Sequence, residues 1–143
     1  MYDLKLGTAA WLRAAAIYVR MQVFVLERGI AIQDEFDDND VPGVTYAVIF
    51  DGKEPVATGR FLREGDDAGR LTRIATRADY RGKHLGTQII RALERHAQNQ
   101  RIHDLQIHAE VTAMSFYEGL GYHAISEEYL EDGVPCRVME RKM

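Results

Sequence analysis

The run Arg81-Gly82-Lys83-His84-Leu85-Gly86 sets basic side chains and glycines directly before an apolar-periodic stretch, Ile89, Ile90, Leu93 and Ala97. That spacing predicts a helix from about Gly86 to Gln98. The first amides of a helix have no internal acceptors, and together with the helix dipole they attract anions. Glycine lets the backbone come close to an anion's oxygens, while Arg81 and Lys83 add positive charge from the sides. A pyrophosphate suits such a turn. Plain turn chemistry with a solvated face accounts for the same composition. The stretch contains neither GxGxxG nor GxxxxGK followed by Ser or Thr, the patterns of dinucleotide folds and P-loops.

The surrounding elements must hold this turn at a strand end. Ala10, Ala14, Ile17, Met21 and Phe24 recur at helical spacing between Ala9 and Glu27, with Thr8 as the expected N-cap and Gly29 as the stop. Asp34 to Pro42 has the composition of a loop. Val44 to Phe50 and Pro55 to Leu62 read as strands joined at Asp51-Gly52, and Arg70 to Thr76 alternates as a third, Leu71, Arg73 and Ala75 sharing one face. After the helix come a short strand, Leu105 to Ala109, a helix from Thr112 to Leu120, and a closing hairpin of Tyr122 to Leu130 with Pro135 to Arg141 about Asp132-Gly133. Strand, helix, strand implies a right-handed parallel crossover. The expectation is one α+β domain over residues 1–143 around a mixed sheet.

At 143 residues, with 46% hydrophobic and 28% charged residues, the chain has the size and composition of one soluble globular domain. No apolar run would cross a bilayer and no signal peptide begins at Met1, so the cytoplasm is the expected address and no membrane partner is expected. The single cysteine, Cys136, allows no internal disulfide and reads as a packing residue. No metal is expected, because the histidines and carboxylates lack a ligand spacing. A net charge of -4 argues against a nucleic-acid partner despite Arg91, Arg95 and Arg101. The charges segregate, with Asp34, Glu35, Asp37, Asp38 and Asp40 on one side and Arg70, Arg73, Arg77, Arg81 and Lys83 on the other. Two opposite patches would hold a polyanion in one place and a cation in another. A solvated loop that keeps the protein soluble is the better reading for most of the five acids.

The stretch at Arg81 resembles the pyrophosphate loop of the GNAT N-acetyltransferases: Arg or Gln, two variable residues, Gly, one variable residue, then Gly or Ala. Arg81 and Gly86 match the ends, and His84 stands where the family has glycine. Ser115 to Tyr122, SFYEGLGY, is similar to the family's FYxxLGF/Y segment, and the deduced element order follows its fold across nearly the whole chain. VFVLERGI, DEFDDND and SEEYLEDGVPCRVMERKM look most like a bacterial branch of small acetyltransferases. The resemblance implies a GNAT-like mixed sheet of six to seven strands with about four helices and the pyrophosphate loop after strand 4.

It implies acetyl-CoA as cosubstrate and an amine of a small molecule or protein as acceptor. The backbone of Ile74, Ala75 and Thr76 would pair with the pantetheine arm, and the amides of Gly82, Lys83, His84, Leu85, Gly86 and Thr87 would seat the pyrophosphate, with the Arg81 guanidinium nearby. Tyr117 occupies the family's general-acid position, although spacing alone also fits a half-buried packing tyrosine. His108, Glu110 and Glu27 are candidate bases. A structural histidine and a capping or solvated glutamate are the plain alternatives for the first two. His96, His103 and His123 read as surface residues. At His84 a side chain is accommodated if φ is negative, its ring facing solvent or donating to a phosphate. A sensor of acyl-CoA without turnover is the rival function, and a homodimer is one assembly open to the chain.

Overall fold

The computed structural model describes residues 1–143. An eight-stranded sheet runs in the order β1-β2-β3-β4-β5-β8-β6, with β7 also on β8. Its strands are β1 (Tyr2–Gly7), β2 (Thr45–Asp51), β3 (Glu54–Arg63), β4 (Ala68–Thr76), β5 (Asp104–Glu110), β6 (His123–Ala124), β7 (Tyr129–Glu131) and β8 (Val134–Lys142). Helix α1 (Ala10–Arg20) packs on one face. Helix α3 (Leu85–Asn99) packs on the other, with α4 (Met114–Gly119) beyond it, and α2 (Ile32–Glu35) is a single turn. No helix is long and apolar enough to cross a membrane.

Strand β1 lies outside the three-stranded meander expected from the sequence, although Leu4 and Leu6 alternate with Asp3 and Lys5 as a half-buried strand would. The first long helix starts one residue after Ala9, without a side-chain cap from Thr8, and widens to a π-helical segment over Met21–Glu27 before Gly29 stops it at φ 77°. Tyr122 to Leu130 is broken into β6 and β7 rather than continuous.

The meander β2-β3-β4 is antiparallel, and β4 meets β5 in parallel through the α3 crossover. The register of β3 and β4 slips between Thr58 and Arg60, so that Gly59 faces the extra residue of a bulge, Arg73, at φ 53°. The bulge overturns the expected alternation. Leu71 and Ile74, three apart, both pack in the core under α3, while Ala75 joins Val19 and Val23 under α1. Gly59 has no room for a side chain: a Cβ there would lie 2.7 Å from Ile89 Cγ2, 2.8 Å from Ile74 Cδ1 and 2.9 Å from Leu93 Cδ1.

The acidic run expected from the sequence as a patch is largely folded against arginines, of which only Arg73 belongs to the basic interval. Fully buried Arg20 donates to Glu35 Oε2 at 3.0 Å and to both Asp40 oxygens at 2.7 and 2.9 Å. Arg60, also buried, forks onto Asp37 at 2.8 and 2.9 Å and reaches Asp40 Oδ1 at 3.0 Å, where the Tyr46 hydroxyl donates at 2.7 Å. Arg73, turned by its bulge, lies 3.1 Å from Glu35 Oε2 and 3.4 Å from Asp37 Oδ2. Three acids of the run are thus internal counter-ions, which corrects the reading of most of them as solvated. Burial would raise both Asp37 and Asp40, but hydrogen bonds from Arg60 and from Arg20 hold the two carboxyls below the usual carboxylate range. At Glu35 burial prevails over Arg73 and Arg20 and pushes the carboxyl up.

Candidate functional site

The parallel pair β4-β5 is registered only from Ala68↔Asp104 to Leu71↔Ile107. Beyond that point Thr72–Thr76 and His108–Glu110 part, and a cavity of about 440 Å³ opens between them. Ile74 lies on one side, His108 and Glu110 on the other, and Tyr117 lines the same space. The bulge and the split have one cause: the extra residue at Arg73 bends β4 away from its parallel neighbour.

Where β4 ends, a 3-10 turn (Ala78–Tyr80) leads through Arg81 to Leu85, the first residue of α3. Gly82 and His84 both have positive φ, 78° and 61°. Backbone turned this way aims successive amides outward, as in anion-binding nests. None of the N–H groups from Gly82 to Thr87 donates to a protein acceptor; the first that does is Gln88, to the His84 carbonyl at 3.2 Å. The N-terminus of this 15-residue helix has no side-chain cap, and Gly86 backs onto Phe116 of α4 at ordinary contact distance.

The condition for a side chain at His84, a negative φ, is not met: the residue adopts the left-handed conformation for which glycine is suited. A left-handed L-residue costs about 1–2 kcal/mol, partly offset by glycine's larger unfolded-state entropy, so His84→Gly should raise stability by about 0.5–1 kcal/mol. Thermal unfolding without ligand measures this. Because the backbone amide is kept, CoA affinity should be unchanged in the same variant.

Arg81 is not directed at the loop amides. Its Nε donates to the Thr76 carbonyl at 3.0 Å, and its Nη1 and Nη2 fork onto Glu27 at 2.6 and 2.7 Å. Hydrogen bonding from Arg81 accordingly holds the Glu27 carboxyl low. Glu27 does not line the cavity between β4 and β5. It lines a smaller recess with Arg77 and Asp79, apart from the other two candidate bases. Glu27→Gln removes a negative charge beside the bare amides and frees Arg81, so anion binding at the loop should tighten about two- to fivefold, the worth of one exposed charge pair. Calorimetry with CoA at low salt checks this, and weaker binding would mean that Arg81 serves only to brace the loop.

Glu110 accepts a bidentate pair from Arg28 at 2.8 and 2.9 Å. His108 lies between Glu131, 3.4 Å from its Nδ1, and Arg70, 3.5 Å from its Nε2. Tyr117 is 9% exposed, more buried than its helix spacing suggested, with its ring edge-on to Phe116 and Tyr122. Its hydroxyl has no hydrogen-bond partner, and burial, with Glu110's charge second, pushes its pKa up to about 12. Tyr122 is core, donating to buried Glu94 at 2.8 Å. Cys136 is buried, as a packing residue would be, and also lines the cavity. His103 and His123 are exposed, but His96 packs edge-on against Phe61 at 5.1 Å, and burial lowers its pKa.

The sequence reading missed Arg28, Arg70 and Glu131 as partners of the candidate bases. Only the β5-β8 register, which sets His108 opposite Val138 and Glu110 opposite Cys136, brings the β7-β8 turn to them.

A mixed sheet parted between its parallel strands, with an uncapped helix N-terminus following the first of them, is the architecture of the GNAT acyltransferase fold. The chain belongs to the GNAT family of N-acetyltransferases: the family model described as acetyltransferase (GNAT) domain matches residues 26–143. It is 46% identical over 104 residues to an uncharacterised acetyltransferase of Streptococcus pyogenes, covering 73% of this chain and 71% of that one. The crystal structure of a Lactobacillus plantarum protein assigned as an N-acetyltransferase superposes with a TM-score of 0.94 at 36% identity, covering 99% of this chain and 97% of that one. The PaiA N-acetyltransferase of Thermoplasma acidophilum, solved in complex with coenzyme A, shares the fold with a TM-score of 0.76 at 12% identity, covering 99% of each chain.

Proposed function

We propose that this chain transfers the acetyl group of acetyl-CoA to a primary amine by direct attack. The observation that carries the reading is the row of backbone N–H groups from Gly82 to Thr87, which have no protein acceptor and sit at the N-terminus of α3 beside the split in the sheet. They suit a pyrophosphate. From there the pantetheine arm would run along Thr76, Ala75 and Ile74, whose strand has lost its parallel partner, as an added strand would. The thioester would then reach the cavity that Tyr117 lines. The fold relative solved with coenzyme A supports the same assignment of the cosubstrate.

The acceptor amine, once neutral, attacks the thioester carbonyl carbon and the C–N bond forms; the nitrogen gives its second proton to solvent as the tetrahedral intermediate collapses, and the C–S bond breaks to release the CoA sulfur. Tyr117 donates its proton to the departing sulfur. An amine with a pKa of about 10.4 must first lose a proton. His108 is the better acceptor for it, directly or through water, because both Glu110 oxygens are engaged by Arg28.

The same engagement of Glu110, with Arg70 facing the His108 ring, also favours a second reading, an acyl-CoA sensor without turnover. Calorimetry with acetyl-CoA followed by thiol release across an amine panel separates the two: binding without release supports the sensor, and no binding overturns both. For the enzyme, kcat/KM should rise with pH as the amine and the base deprotonate. It should not fall again below pH about 10, because an acid with its pKa pushed up to about 12 stays protonated throughout that range. A falling limb below pH about 10 would remove Tyr117 as the donor.

A further inference from the structure

We infer that the acceptor half of the cleft selects an amine carrying a second positive charge, such as a diamine or the lysine-bearing end of a chain. The inference rests on the acetyl-transfer reading above and adds the class of acceptor. Most charges around the cavity cancel within the protein. Glu35 and Asp37 are held by Arg20, Arg60 and Arg73, Glu110 is matched by Arg28, and Arg70 lies 3.3 Å from Glu64.

Three lining carboxylates are left without a cationic partner of their own. Asp34, on α2, comes from the β4 side, and Asp132 and Glu131, at the β7-β8 turn, come from the other. Glu131 has only the His108 ring, 3.4 Å away. The uncancelled field in the cleft is therefore negative.

A second feature belongs to the same space: Tyr117, a side chain nine-tenths buried whose hydroxyl has no protein partner, lines this cavity. A reacting group bound beside Tyr117 would leave the carboxylates of Asp34, Glu131 and Asp132 to meet whatever the acceptor carries further out. In a diamine the distal ammonium keeps its proton while the proximal one gives its proton up, so the distal charge is the one recognised. An amine bearing a carboxylate would instead meet like charge, since Arg28, Arg70 and Arg73 already have counter-ions. The attraction acts at the surface and weakens with salt.

The test measures binding, so that it does not depend on turnover. Butylamine, its diamine analogue, its carboxylate analogue aminobutyrate and a lysine-ended tripeptide are titrated calorimetrically into the CoA-saturated protein, wild type and the double variant Asp34→Asn, Asp132→Asn. Both aspartates are exposed and outside the buried network, and asparagine suits the left-handed φ of 50° at position 132, so the variant should fold. The diamine should bind at least about tenfold more tightly than butylamine at low salt, and the ratio should fall below about twofold in the variant or in high salt. A response to the tripeptide but not the diamine would assign the second charge to a chain end. Equal affinity for butylamine and both dications, preference for aminobutyrate, or an undiminished ratio in the variant would overturn the inference. Failure of every amine to release thiol, with diamine binding intact, would count against acetyl transfer and leave the cationic site standing.

Discussion

Tyr117→Phe should lower kcat about 10²- to 10⁴-fold, the usual worth of a positioned acid, with CoA affinity within about twofold of wild type. The substitution is clean for a structural reason. The hydroxyl makes no hydrogen bond in the fold, so phenylalanine keeps the ring contacts with Phe116 and Tyr122 and leaves no protein group unpaired. The melting temperature should be unaffected. A packing tyrosine would give the reverse pattern, with turnover retained. Single-turnover thiol release and calorimetry on the same preparation distinguish the two outcomes.

Arg20→Met should destabilise the protein by about 3–5 kcal/mol, the cost of breaking a buried ion pair by removing one partner. At this chain length that corresponds to a melting temperature lower by about 10–15 °C. Glu35 would keep Arg73, Asp40 would keep Arg60 and the Tyr46 hydroxyl, and Arg20's stacking over the Phe36 ring would be lost. The pH dependence follows from the directions of the shifts. Asp37 and Asp40, held low when folded, contribute stability above the unfolded carboxylate pKa of about 3.9 and lose it as pH falls through their lowered values. Glu35 acts in the opposite sense: raised by burial, it costs stability when ionised and recovers it as it takes up a proton. The deficit of Arg20→Met should therefore be largest at neutral pH and narrow on mild acidification. Thermal unfolding across pH measures it. A uniform deficit would mean that lost packing, not charge, sets the cost.

The same network marks where sequence patterns stop being informative. Helical and strand periodicities are local, and the meander β2-β3-β4, helix α3 and the closing turn at Asp132-Gly133 follow them closely. The bulge at Arg73 is not local: it exists because Gly59, on another strand, lets Ile89, Ile74 and Leu93 close over it. An alternating sequence at Leu71 to Thr76 gives no sign of that slip, and without the slip β4 would continue beside β5 and no cavity would open. The left-handed φ of His84 was equally hidden, because histidine there reads as an ordinary side chain.

The sequence by itself determined the family, the turn from Arg81 to Gly86 ahead of α3 and the helix that carries Tyr117, because each is written in residues close together along the chain. Only the tertiary structure decided which charges remain available. It turned Arg81 onto Glu27, buried Glu35, Asp37 and Asp40 against Arg20, Arg60 and Arg73, and left Asp34, Glu131 and Asp132 facing the cleft. The physical reason is that a charge's effect depends on its nearest partner and its burial. Those partners stand on different elements, brought together by strand register and one bulge, and no spacing within the chain encodes them.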